Sequence, residues 1–246
     1  QLLDEAKSTA ERQAIIQANA GRAASIVAEM VKGLPPETST EEYRRIPWIW
    51  RVAIAAGKRN DPAELKELLQ VALPQPGEPF RDWQSVVIGG GIINGISLEG
   101  GWPGERIDQI IGSDSDLRAR WIRHFEQSAA MADNEKVRNG TRYDALRSIA
   151  LDQWEKSGAQ LMRYLVSPNA ELQQGAVSGL VDVQDERATG ALLAEIERLT
   201  ESNLAFALDG LLRTPQRISA LLDAVAAGRV THEMLGKKRI AKILSH

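Results

Sequence analysis

Ala145-Leu146-Arg147-Ser148-Ile149 recurs as Ala176-Val177-Ser178-Gly179-Leu180 and again as Ala207-Leu208-Asp209-Gly210-Leu211. The spacing is 31 residues both times. Each copy lies in a stretch whose apolar residues return every three or four positions, the period that buries one face of a helix. Two helices of about 12 residues and two turns occupy roughly 31–45 residues, the length of one hairpin in a stacked helical array. Small residues at the first and fourth positions let a neighbouring helix come close, and the large apolar residues between and after them fill the core. Weaker copies are Ala53-Ile54-Ala55-Ala56-Gly57 and Ile92-Ile93-Asn94-Gly95-Ile96. One hairpin cannot bury its apolar face alone, so neighbours must stack. The expected fold class is all-α, an α-solenoid of HEAT-like antiparallel helical hairpins; an irregular helical bundle with a chance pattern is the competing reading. One domain is expected over 1–246, with irregular, tryptophan-rich repeats in 1–135 and regular repeats of about 31 residues in 136–246.

Punctuation sets the expected elements. Ser8 or Thr9 caps a helix reaching about Val31, and Gly33-Leu34-Pro35-Pro36 stops it. Thr40-Glu41-Glu42 opens a second helix to Gly57, with Pro47 marking a kink or its true start. Asp61 caps a third, with Pro62 at its first position. Pro74-Gln75-Pro76-Gly77-Glu78-Pro79 reads as a stiff connector before a segment from Asp82 to about Leu98. Gly100-Gly101-Trp102-Pro103-Gly104 is a turn. Helices are then expected at 104–111, 115–132, 141–151, 153–166, 167–181, 185–199, 201–213, 215–227 and 231–244. No run of alternating strands is evident.

Composition narrows the functions. A net charge of −3 gives no basic surface of the kind that supplies nucleic-acid affinity. No apolar run reaches the roughly 18 residues of a membrane span, so no direct membrane insertion is expected. The chain opens at Gln1 with no basic and then apolar leader, and it reads as a fragment or a mature segment. It has no cysteine, which removes disulfides, thiolate zinc and iron–sulfur sites, and covalent haem attachment from its own residues.

The most tempting chemistry lies in Ser85-Val86-Val87-Ile88-Gly89-Gly90-Gly91-Ile92-Ile93-Asn94-Gly95. In a dinucleotide-binding fold such glycines follow a strand and let the backbone approach a pyrophosphate. Here the third glycine of the fingerprint falls at Asn94, and a turn replaces the acidic residue expected about 20 positions on. The segment is expected to be a helix, with Trp83, Val86, Val87, Gly90, Ile93 and Ser97 on one stripe, so no cofactor is expected. The three histidines, His124, His232 and His246, have no partner at metal-ligand spacing. Asp114-Ser115-Asp116 and Asp182-Val183-Gln184-Asp185-Glu186 read as helix caps, because neither continues as a calcium loop. No G-x-S-x-G occurs. Most of the six tryptophans are expected in the core, with Trp102 exposed in its Gly-Pro turn. Lys237-Lys238-Arg239 is expected on a solvated helix face. Arg81, Trp83 and Trp102 are the candidate interaction residues, since aromatic and arginine anchors dominate binding surfaces.

Several stretches carry a family resemblance. They are Pro76-Gly77-Glu78-Pro79-Phe80-Arg81-Asp82-Trp83-Gln84, Gly89 to Ser97, Trp102-Pro103, Leu211-Leu212-Arg213-Thr214-Pro215, Leu221-Leu222-Asp223-Ala224 and Gly228-Arg229-Val230. Over residues 45–246 the chain resembles the HEAT-like repeat segment of large bacterial multidomain proteins of the membrane-bound dehydrogenase kind, which carry a CxxCH haem-binding domain. The resemblance implies a β-propeller upstream, a cytochrome c-type domain downstream, and export to the periplasm or cell envelope. The chain itself lacks cysteine and propeller-like strands, so the resemblance implies a non-catalytic scaffold or docking module whose partner is a protein or a neighbouring domain of the same polypeptide. The alternative is a ligand- or cofactor-binding protein using Gly89 to Gly91. A third reading, an enzyme acting on nucleic acid and similar to DNA glycosylases built from HEAT-like repeats, would need a basic groove.

Overall fold

A computed structural model describes residues 8–32, 34, 39–77 and 81–245. Gly33, Pro35-Pro36 and Glu78-Pro79, invoked above as a helix stop and part of a connector, lie outside the described residues. Those residues form fourteen α-helices and one short 3-10 helix, with no strand among them. The helices are α1 (Thr9–Ala18), α2 (Ala23–Lys32), α3 (Ser39–Arg59), α4 (Pro62–Ala72), α5 (Gln84–Leu98), α6 (Pro103–Ile111) and α7 (Ser115–Asp133). They continue as α8 (Asn139–Ile149), α9 (Trp154–Leu165), α10 (Ala170–Val181), α11 (Glu186–Ala194), α12 (Glu201–Leu211), α13 (Pro215–Ala226) and α14 (His232–Leu244). Two compact units result, Gln1–His124 and Phe125–His246, and the division falls inside α7.

In the first unit, α2, α4 and α6 pack in one row and α3 and α5 in a second, with α1 resting on α3. The expected single helix from Ser8 to Val31 is two helices. Asn19 turns its side chain back onto the Ile15 carbonyl at 2.8 Å, and Gly21 takes φ +78°, the left-handed region glycine enters without penalty. A buried carboxylate holds the break open: Glu64 Oε1 accepts the N–H groups of Gly21 at 2.9 Å and Ala23 at 3.3 Å. Pro47 lies inside α3, which runs on through it. The predicted Asp61-Pro62 start of α4 is present, with the Asp61 carboxylate accepting the Glu64 N–H at 2.8 Å.

The glycine segment is helix α5. Its expected apolar stripe is in fact burial nearly all round: every residue from Gln84 to Ile96 except Asn94 is buried. Glycine makes this possible where α5 crosses α3. A β-carbon on Gly57 would stand 2.6 Å from the Ile92 carbonyl oxygen and 2.8 Å from the Gly95 Cα, and one on Gly91 would stand 2.6 Å from the Ala53 Cβ. Such distances exclude any side chain, so the two backbones touch directly.

In the second unit the chain alternates between two rows. One holds α8, α10 and α12, the other α9, α11 and α13, and α14 packs on α12. The repeated motif lies on the first row. Ala145, Ala176 and Ala207 are fully buried, as are Leu146, Val177 and Leu208. The fourth position sets the approach of the next helix, since a β-carbon on Gly179 would meet the Ala150 methyl at 2.6 Å. The helix expected to reach Leu199 ends at Ala194, and Ile196–Arg198 is 3-10. Buried Gln173 explains the change. Its Nε2 donates to the carbonyls of Leu165 at 2.8 Å and Arg198 at 3.1 Å, and its Oε1 accepts the Thr200 N–H at 2.9 Å. The α14 segment is kinked at Gly236, with φ 69° and ψ 160°.

Buried charge ties the helices of this unit. Asp182, fully buried at the end of α10, accepts from Arg147 of α8 at 2.7 and 3.0 Å and from Arg213, beyond α12, at 3.1 Å. Part of the acidic turn read as capping is therefore a counter-ion, while Asp185 does cap α11 through the Arg187 N–H at 2.8 Å. Arg217, 3% exposed, donates to the carbonyls of Leu180, Val181, Val183 and Gly210. It sets a positive charge where helix dipoles are negative. Arg147 feels burial, which opposes its charge, yet the adjacent Asp182 outweighs that and holds its pKa above the ordinary value.

Candidate functional site

A groove of about 1150 Å³ lies between α2 and α4 in the first unit. Helical spacing builds it. Ala24, Ala28 and Val31 descend one face of α2, and Gln70 and Val71 of α4, followed by Pro74, form the opposite wall. The walls are therefore largely aliphatic, interrupted by Gln70, and the groove is partly open. Lys32, Glu67, Gln75, Arg81, Gln84 and Arg120 set its polar edge.

That edge is braced from within the chain. Arg81 donates to the Leu34 carbonyl and to Glu42 Oε1 at 3.2 Å. Gln84 donates to the Val71 carbonyl at 2.7 Å. Arg120, 6% exposed, donates to the Leu73 carbonyl and pairs with Asp116 at 2.8 Å. Gln75 donates to the same Asp116 carboxylate at 2.9 Å, and these hydrogen bonds, Gln75 first and then Arg120, hold the Asp116 pKa below its usual value. The hydroxyl in the groove, Ser25 Oγ, donates to the Arg22 carbonyl at 3.0 Å and has no histidine beside it to activate it. The arrangement offers a largely apolar trough whose margin carries braced donors, Arg81, Gln84 and Arg120, together with the Glu67 carboxylate.

The three candidate residues do not share this site. Arg81 lines it. Trp83, two residues on, is 9% exposed, and its indole N–H is buried with no acceptor among the described residues. Trp102 precedes α6, half-buried and not exposed as expected, with its carbonyl accepting the Arg106 N–H at 3.0 Å. The expectation that most tryptophans fill the core is also corrected: only Trp83 and Trp121 are buried. Trp48, Trp50, Trp102 and Trp154 are half-buried. Arginines shield two of these from water. Arg12 and Arg51 each lie 5.1 Å from the Trp48 ring centroid, and Arg187 lies 5.7 Å from that of Trp154, cation–π geometry in each case.

Other sequence candidates resolve into packing. Gly89 lies under His124, whose Nε2 would be 3.4 Å from a β-carbon there. His124 is fully buried and stacked on Trp121 with centroids 4.7 Å apart, while Glu126 is exposed. Burial pushes the His124 pKa down to about 3. Among the described residues no group of three or more His, Asp or Glu gathers at metal-binding distance. Asp114 caps α7 through the Leu117 N–H at 3.0 Å. Lys237 and Lys238 are exposed as expected, but Arg239 is not part of a free face: it pairs with Asp209 at 2.7 Å and donates to the Ala205 carbonyl at 3.0 Å. No described helix is long and apolar enough to cross a membrane.

The groove and the buried Asp182 joint leave little trace in the local sequence, because each joins residues more than 30 positions apart. The only advance signal for the groove was Arg81. Comparison of the chain with family models, curated proteins and solved structures found no match in any of the three.

Proposed function

We propose that this chain is a non-catalytic helical-repeat module of HEAT-like antiparallel hairpins, serving as a scaffold or interaction surface within a larger exported redox protein. The observation that carries the reading is the packing of α8–α10–α12 and α9–α11–α13 as two rows, with a buried motif that returns every 31 residues along the first. Polar groups in the core are used to join repeats, as Asp182 and Gln173 are. The α2–α4 groove is the face assigned to a neighbouring domain or protein partner, because its walls are largely apolar and its edge pre-organised. The burial of Gly89, Gly90 and Gly91 inside helix packing weighs against a cofactor at that segment. The redox parent, its haem-binding domain and its export follow from the family resemblance.

Hydrogen exchange tests the reading. The isolated chain is compared with the same segment inside its longer polypeptide. Added amide protection over 24–34 and 70–75 is the expected result; identical protection throughout the segment would sink the docking role.

A further inference from the structure

A second cavity, of about 510 Å³, lies where α1 meets α3 and the end of α5. Its size is in the range of small-molecule sites, roughly 300–1,000 Å³. One wall is apolar: Trp50 and Ile54 of α3 with Leu98, which leaves 58% of its surface in water. The facing wall carries the amides of Gln13 and Gln17 from α1. Arg51, Lys58 and Arg59 also line it, and among the described residues no carboxylate does.

The three cations are not equally committed. Arg59 is locked to buried Glu64 at 2.6 Å. Lys58 faces Glu99 at 3.7 Å, longer than a direct hydrogen bond, with 46% and 54% of the two side chains exposed. Arg51 is exposed, makes no ion pair among the described residues, and is oriented by the Trp48 ring 5.1 Å away. Two exposed cations lining a cavity that also presents an indole and an exposed leucine suit a molecule that is anionic at one end and apolar at the other.

We propose that this cavity binds a small amphiphilic carboxylate, with the acid group on Arg51 and Lys58 and an aromatic or branched body against Trp50, Ile54 and Leu98. Gln13 and Gln17 close over it as hydrogen-bonding partners from α1. The site is independent of the α2–α4 groove and does not rest on the scaffold reading.

The probe is 2-naphthoate titrated into the full chain and followed by amide and indole NMR shifts, with uncharged 2-naphthamide as control. Saturable shifts are expected at the Gln13 and Gln17 amides and the Trp50 indole. Arg51→Gln and Lys58→Gln should each loosen binding about tenfold, the scale of one charge-assisted hydrogen bond, and naphthamide should bind comparably weakly. Thermal unfolding of each variant checks that the fold is kept, and Lys58→Gln decides the matter if Arg51→Gln loosens α1. The proposal is overturned by non-saturable shifts, by naphthamide binding as tightly as naphthoate, by charge variants that bind like the parent, or by shifts confined to the α2–α4 groove.

Discussion

Asp182 has no exposed surface and two guanidiniums in reach. Removing one member of a buried ion pair leaves the other charged and unanswered, which costs about 3–5 kcal/mol. Asp182→Ala should therefore lose stability on that scale in urea unfolding, and a triple variant, Arg147→Met, Asp182→Leu and Arg213→Met, should recover much of it; an Asp182→Ala chain as stable as the parent would refute the joint. His124 makes a second residue-level prediction. Its folded pKa of about 3 lies below its ordinary 6.5, so between those values the unfolded chain binds a proton that the folded chain does not. Stability conferred by the neutral imidazole is full above pH 6.5 and is lost as pH falls towards 3, with a slope of up to about 1.4 kcal/mol per pH unit. His124→Phe, which keeps a ring on Trp121, should flatten that slope. An unchanged slope would mean that other groups carry it. Glu64 acts in a lower window. Burial opposes its charge, but Arg59 and the Gly21 and Ala23 amides prevail and hold its pKa below 4.5, so its contribution is present above 4.5 and disappears in stronger acid.

At the scale of elements, close backbone approach is the rule at one crossing and absent at another helix. Gly95→Val would force α3 and α5 apart, and overpacking of this kind costs about 1–3 kcal/mol or more. Gly190, in the middle of α11, has only open space within 4 Å of where a β-carbon would stand, so Gly190→Ala should raise stability by about 1 kcal/mol through helix propensity alone. Chemical denaturation of both variants checks the contrast, and two changes of the same sign would contradict it. Local signals made most elements legible in advance: Asp61-Pro62 starts α4, and apolar spacing places α8 to α13 within a few residues. The breaks were not legible. Residues 19–22 are held open by Glu64, more than 40 positions away, and the turn before α12 is held by Gln173. Local propensity carries no trace of either contact. The tryptophans misled for a related reason. Hydrophobicity predicts burial, but an arginine laid over an indole covers it without moving it into the core.

For the molecule as a whole, the proposed stacking of repeats has a consequence for how stability is distributed. In stacked repeats each unit contacts mainly its neighbours, so stability is close to a sum of local contributions. Removing 215–246, and with it α13 and α14, should lower the unfolding midpoint of the second unit while α8 to α12 keep their helical signal in circular dichroism. Complete loss of that signal would identify an indivisible bundle. The candidate site was less visible in sequence than the fold. Arg81 is legible as an anchor, but the groove it edges depends on α2 and α4 lying side by side, and the cavity beside Arg51 depends on α1 folding back over α3.

The Asp182 joint also bears on how such a chain can change over evolutionary time. Its two arginines lie 35 residues upstream and 31 residues downstream. Duplicating or excising one repeat between Arg147 and Arg213 would strand a guanidinium in the core. Gene-level lengthening or shortening of this half is therefore steered away from its middle, towards positions outside that interval.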